Sequence, residues 1–204
     1  MSFETWAAFA AASAALLMIP GPTVLLVLSY ALSRGRRVAV STALGVALGD
    51  LIGMVLCLVG LGALIATSAT AFAVLKWIGA AYLVWLGFRL IRAPVETALP
   101  LPSETRGTFG HAALVTALNP KSIGFFVAFV PQFIDPARPV LPQAAILVAT
   151  FVGLAALNAL LYALAADRLR SRIARPGLIG LLQKAGGGTL IAMGAFTAAV
   201  RRSA

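Results

Sequence analysis

The chain has 204 residues, of which 61% are hydrophobic and 11% charged, with a mean hydropathy of +0.98. Water-soluble domains run at about 45–50% apolar and about 25% charged residues, so this composition excludes an ordinary soluble fold and specifies an all-α, polytopic membrane protein. The net charge of +10 lies in short basic clusters between apolar segments, which argues against the continuous basic stripe or arm of a nucleic-acid binder.

Six apolar segments are expected, at about residues 4–32, 38–66, 70–92, 109–134, 140–166 and 178–200. Each exceeds the roughly 20 residues needed to cross a hydrocarbon core, and the surplus points to tilt or kinks. The first segment reads as a retained helix: no Lys or Arg precedes the small residues Ala10 to Ala15, and the apolar run continues to Leu32. It is interrupted by Ile19-Pro20-Gly21-Pro22. Two prolines deny amide donors, so this stretch is expected to unwind, exposing carbonyls and a half-helix N-terminus whose positive end suits a carboxylate. A simple kink is the alternative.

The second segment contains Gly45-Val46-Ala47-Leu48-Gly49-Asp50-Leu51-Ile52-Gly53. Glycines four apart let a neighbouring helix backbone come close. Asp50 is the only charge between Val38 and Ala66, and an intramembrane carboxylate marks an ion or substrate pathway unless it is merely a structural ion pair. Cys57 is the only cysteine, so no intramolecular disulfide and no multi-cysteine metal site is possible, and a buried small hydrophobe is its plain reading. Lys76 and Lys184 lie nearer segment ends, where long cationic side chains snorkel to the interface. Residues 93–108, with Pro94, Glu96, Pro100, Pro102 and Glu104, form a polar linker between two three-helix halves, 1–92 and 109–204.

The fourth segment is interrupted at Asn119-Pro120-Lys121. Pro120 removes a donor near mid-span and crowds the carbonyl near Thr116, while a lysine at a helix centre costs about 2.5–3.5 kcal/mol and should face the bundle interior. Two interrupted helices in corresponding halves point to a transporter whose binding site lies at the midplane. Asn119 and Asn158 offer donors and acceptors without charge, as ligands or as interhelical glue. His111, the only histidine, and Tyr30, Tyr82 and Tyr162 read as interfacial or packing residues. No G-x-S-x-G, P-loop or H-E-x-x-H occurs, so serine, phosphoryl and zincin chemistry lack their usual parts.

The basic residues set the orientation. Arg34, Arg36 and Arg37, then Arg89, Arg92 and Arg106, then Arg168, Arg170, Arg172 and Arg175 fall on one side of a six-helix chain, against Lys76, Arg138, Arg201 and Arg202 on the other. The positive-inside rule makes the first side cytoplasmic and both termini periplasmic. Trp6 and Trp77 then sit near the outer interface. A shift of 108 pairs Gly45 with Gly153, Asp50 with Asn158, Lys76 with Lys184 and Gly79 with Gly187, whereas Pro20 and Pro120 differ by 100. Three-helix copies must be inverted relative to each other, as in many secondary transporters.

Pro20-Gly21-Pro22, Gly45-x-x-x-Gly49-Asp50, Lys76-x-x-Gly79-Ala80-x-Tyr82-Leu83-x-x-Leu86-Gly87 and Asn119-Pro120-Lys121, in this order along the whole chain, together resemble the LysE/RhtB amino acid exporter family. The resemblance implies a bacterial inner-membrane exporter of amino acids or their derivatives, of two inverted three-helix repeats with broken helices 1 and 4, driven by the proton gradient. It implies no cofactor and no metal, with the substrate, protons and the bilayer as partners; a homodimer stays open. The site residues it implies are Pro20, Gly21, Pro22, Asp50, Asn119, Pro120 and Lys121, with Asp50 coupling to protons. Asn158 joins them as the counterpart of Asp50 in the second half. Export of another solute or of a cation, a membrane-embedded enzyme and a structural subunit are the competing readings; six acidic residues are few for a site suited to hard cations.

Overall fold

A computed structural model describes residues 1–19, 21–34, 38–67, 69–92, 107–135, 137–173 and 176–199. The described chain is helical: α1 (Phe3–Met18), α2 (Pro22–Arg34), α3 (Ala39–Thr67), α4 (Ala69–Arg92), α5 (Thr108–Ala117), α6 (Pro120–Ala128), a 3-10 turn (Val130–Phe133), α7 (Val140–Ile173) and α8 (Pro176–Ala199). Among the described residues, α3 over Ala39–Gly62 and α7 over Val140–Ala166 are each long and apolar enough to cross a membrane. The pairs α1/α2 and α5/α6 pass the same test as two further, bent spans. Pro20, Arg36, Arg37, most of the 93–108 linker and the terminal Arg201 and Arg202 lie outside the described residues.

The first and fourth apolar segments are each two helices rather than one. The α1 and α2 axes differ by 56°, and α5 differs by 45° from the stretch beginning at Pro120. In both cases the proline that looks like an interruption in the sequence opens a new helix. Pro22 is the first residue of α2, and Pro120 is the first of α6, directly after its N-cap Asn119. A proline at that position loses nothing, because its missing N–H would have had no intrahelical partner. α1 itself starts on Ser2, whose hydroxyl accepts from the Thr5 N–H at 3.2 Å, with Glu4 in the positive first turn.

The glycines of α3 decide how the bundle closes. Gly45, Gly49 and Gly53 face the carbonyls of Phe109, Ala113 and Ala117, successive turns of α5, so α3 and α5 run side by side in the same direction. A Cβ on Gly49 would lie 2.7 Å from the Thr116 Cβ, and one on Gly45 would lie 2.9 Å from the Ala112 Cβ. Only residues without a side chain permit that approach. α4 and α8 close antiparallel in the same way, with Gly87 against Gly187 and Gly194 against Ala80. α7 packs against α1, α2 and α3. At one end Phe9, Phe125, Phe126, Phe129 and Phe151 form a buried aromatic layer, with Phe126 and Phe151 edge to face at 4.9 Å.

Candidate functional site

Continuing α1 as a helix would send the carbonyls of Leu16, Leu17, Met18 and Ile19 to the N–H groups of residues 20 to 23. Two of those donors do not exist, because residues 20 and 22 are prolines. Ile19 turns to an extended conformation, and its N–H folds back to the Leu16 carbonyl at 3.2 Å. The Leu16 carbonyl thus keeps one backbone donor, and each of the four carbonyls takes a side-chain donor. The Lys121 ammonium donates to the Leu16 and Ile19 carbonyls at 3.0 and 2.9 Å. Asn158 Nδ2 donates to Leu17 at 3.1 Å and the Tyr162 hydroxyl donates to Met18 at 3.1 Å. The end of α1 is thus capped by α6 and α7, and the capping charge sits where the negative end of the helix favours a cation.

The second break presents the opposite polarity. The Asn119 side chain accepts from the Lys121 N–H at 3.0 Å, capping α6, while its Nδ2 donates to Thr23 Oγ1 at 3.0 Å. Thr23 in turn meets Thr116 Oγ1 at 3.3 Å. This chain of hydrogen bonds ties the start of α2 to the end of α5 and the start of α6. The two breaks therefore share one polar layer.

Asp50 projects from α3 into the same layer and is only 2% exposed; Lys121 is 8% exposed. The Ser122 side chain approaches the carboxylate, yet Asp50 Oδ1 has no hydrogen-bond partner. Asp50 and Lys121 interact across the layer as opposite charges but form no direct ion pair, since the ammonium is committed to α1. A buried carboxylate oxygen without a partner is costly, and one beside a cavity is an atom available to a ligand or a proton.

That cavity has a volume of about 20 Å³ and is lined by Asp50, Asn119, Lys121, Ser122, Asn158 and Thr23 together with apolar groups from α1, α2, α3 and α7. Such a volume holds a water and nothing the size of an amino acid. The site is flanked on both sides. The phenylalanine layer lies along α6 beyond it. In the other direction the Tyr30 hydroxyl joins His111 Nδ1 at 2.8 Å, two turns of α2 beyond Thr23, with Arg34 over the Tyr30 ring at 5.2 Å.

Of the site residues expected from the sequence, Asp50, Asn119, Lys121 and Asn158 come together around this cavity. Gly21 backs onto Lys121: a Cβ there would lie 3.5 Å from the ammonium nitrogen. Pro22 and Pro120 start their helices with exposed rings and do not line the cavity, and Pro20 lies outside the described residues. Thr23, Ser122 and Tyr162 were not expected. Thr23 could have been flagged because it directly follows the break, and Tyr162 because it stands one helical turn after Asn158. Among the described residues no group of three or more His, Cys, Asp or Glu side chains could hold a metal ion.

Comparison with known proteins adds the family context. A family model described as LysE type translocator matches residues 14–200. The chain is 37% identical over 206 residues to the homoserine/homoserine lactone efflux protein of Salmonella typhimurium, covering 100% of both chains. It is 36% identical over 204 residues to an uncharacterized membrane protein of Vibrio cholerae, with 98% of this chain and 100% of the relative covered. A leucine efflux protein of Salmonella typhimurium is 35% identical over 128 residues, 61% of this chain and 60% of that protein. No solved structure matches.

Proposed function

The chain belongs to the LysE type translocator family and is a membrane transporter rather than an enzyme; from that premise we propose that it exports amino acids or amino acid derivatives across the bacterial inner membrane in exchange for protons. The observation that carries the proposal is the small polar cavity between the two helix breaks, lined by a residue with a buried, partly unpartnered carboxylate and by a buried lysine. A zwitterion needs one group of each sign, and Asp50 and Lys121 supply them with Asn119, Asn158, Gly21 and the prolines shaping the breaks. Asp50 alternates between a proton-carrying neutral form and a carboxylate paired with the substrate ammonium, while Lys121 receives the substrate carboxylate.

The working architecture is six spans arranged as two inverted repeats, 1–92 and 109–204, with the termini periplasmic. Its support is the pattern of packing. Exchanging α1 with α5, α2 with α6, α3 with α7 and α4 with α8 turns the α3–α5 and α3–α6 contacts into α7 against α1 and α2, while α3–α7 and α4–α8 map onto themselves; among the described residues α4–α6 has no counterpart of similar extent. The basic residues Arg34, Arg89 and Arg92 end α2 and α4, as the positive-inside rule asks of the cytoplasmic face. A cavity of about 20 Å³ is too small for an amino acid and fits the occluded member of an alternating-access cycle, in which substrate entry on either side requires the halves to move apart.

The test is reconstitution in liposomes loaded with a panel of labelled amino acids, homoserine and leucine included, with an imposed pH gradient. Efflux of one or a few that collapses with the gradient is the expected result. No protein-dependent movement across the panel would remove the proposal, and gradient-independent movement would remove its proton-coupled part.

A further inference from the structure

Lys121 does not point its ammonium at Asp50. It carries it to the end of α1, where the Leu16 and Ile19 carbonyls accept at 3.0 and 2.9 Å. The Leu16 carbonyl loses its helical donor to Pro20 and keeps only the bent-back Ile19 N–H, the Ile19 carbonyl lies where the chain leaves the helix, and the ammonium that fills both is buried. The same place adjoins the cavity, and Asp50, whose buried Oδ1 is unpartnered, is among the residues that line it. A lysine ammonium and the ammonium of an amino acid are the same chemical group.

We propose that the carbonyl end of α1 is the substrate-ammonium subsite, and that Lys121 occupies it in the closed protein as a tethered stand-in for the substrate. Substrate entry is then an exchange. Its ammonium takes the Leu16 and Ile19 carbonyls with Asp50 as counter-charge, and the displaced Lys121 ammonium turns to the substrate carboxylate. Through the exchange each ammonium keeps carbonyl acceptors or a carboxylate partner, and Asp50, unpartnered at Oδ1 before entry, gains one, which a buried site favours. Gly21 makes the exchange possible sterically, because the space its missing side chain leaves is next to Lys121 Nζ, Cε and Cδ. Ligands without N–H donors, such as quaternary ammonium compounds, cannot satisfy two carbonyls and are rejected. The inference rests on the export reading for its physiological meaning, but its central claim is a binding claim and is tested as one.

Truncating Lys121→Ala removes the four side-chain atoms of a propylammonium ion. Purified variant in detergent should melt below the wild type, and propylammonium chloride should raise its melting temperature toward the wild-type value. Tetramethylammonium chloride at equal concentration should not, and the wild type should respond to neither. Equal responses to the two salts, or none, would overturn the proposal. Should the variant not fold, wild-type liposomes decide: the exported amino acid should compete for its own efflux at least about a hundredfold better than its N,N,N-trimethyl derivative, the order expected when two charge-assisted hydrogen bonds are lost. Equal competition refutes the subsite while leaving export intact, whereas absence of any efflux strikes the export reading and not the alkylammonium result.

Discussion

The contact between α3 and α5 gives a stability prediction with a built-in control. In Gly49→Ala the new Cβ would stand 2.7 Å from the Thr116 Cβ and 3.0 Å from the Ala117 N, and would also press on the Ala113 carbonyl. An ordinary contact begins near 3.4 Å, so α5 must retreat by at least about 0.7 Å, and by more at the Ala113 carbonyl. Overpacking of this kind costs about 1–3 kcal/mol. Gly60→Ala lies in the same helix with nothing within 4 Å of its Cβ position, so it carries only the helix-propensity gain of about 0.5–1 kcal/mol. That gain is common to both variants and cancels when they are compared. The difference of about 1–3 kcal/mol corresponds to roughly 2–12 °C in melting temperature for a chain of this length. The same retreat would lengthen the Thr23–Thr116 contact from 3.3 Å beyond hydrogen-bonding range, so efflux should slow in Gly49→Ala and persist in Gly60→Ala. Thermal unfolding in detergent and liposome efflux check the two parts. A Gly49→Ala protein that melts at or above Gly60→Ala would refute the packing argument.

Asp50→Asn, which keeps the shape but cannot carry a proton as a carboxyl does, should insert normally and lose gradient-driven efflux; full pH-dependent efflux would remove Asp50 from coupling. Replacing Pro20, Gly21 and Pro22 together by alanine restores two backbone donors for the end of α1, where Lys121 and Tyr162 now bind. That variant should reach normal membrane abundance with transport slowed at least about tenfold, as expected for a change of ~1.4 kcal/mol or more in the cycle. Asn119→Asp retains an N-cap of equal quality but loses the donor to Thr23, so its melting temperature should stay near wild type while efflux falls. A reporter fused after Ala204 should be active only if it functions in the periplasm; cytoplasmic activity would reverse the orientation.

The positions of the two breaks were legible because proline and glycine act locally, and the α3 glycine spacing was legible because helix periodicity alone puts Gly45, Gly49 and Gly53 on one face. What the breaks do was only half legible. Pro120 reads as damage to a long helix, whereas Asn119-Pro120 is a helix start, a distinction made by the cap geometry at Asn119. The destination of Lys121 was not legible. Reasoning from charge alone sends a buried lysine to a buried carboxylate, and that overlooks a set of carbonyl acceptors without donors a hundred residues earlier. The missing donors could be counted from the prolines, but which side chain would reach them depended on how α6 and α7 pack against α1. Asn158 and Tyr162 illustrate the same point. Their spacing puts them on one face of α7, but only the packing turns that face toward the carbonyls of Leu17 and Met18.

The two breaks have opposite polarities. α1 ends at the cavity and offers carbonyls, the negative end of a helix dipole; α6 begins there and offers its N-terminus, the positive end, with Lys121 in its first turn. Two breaks of the same polarity would suit an ion of one sign, whereas this pair matches a molecule that carries both. In the closed protein the Lys121 ammonium covers the carbonyl end of α1; in the proposed exchange it moves to the side that accepts a carboxylate, while Asp50 strengthens the side that accepts an ammonium. The side chains can exchange partners as the cavity opens, but the helix ends keep their sign. Under the proposed export of a zwitterion, its selectivity is therefore built first into the backbone, through Pro20, Pro22 and Pro120, and the side chains tune it.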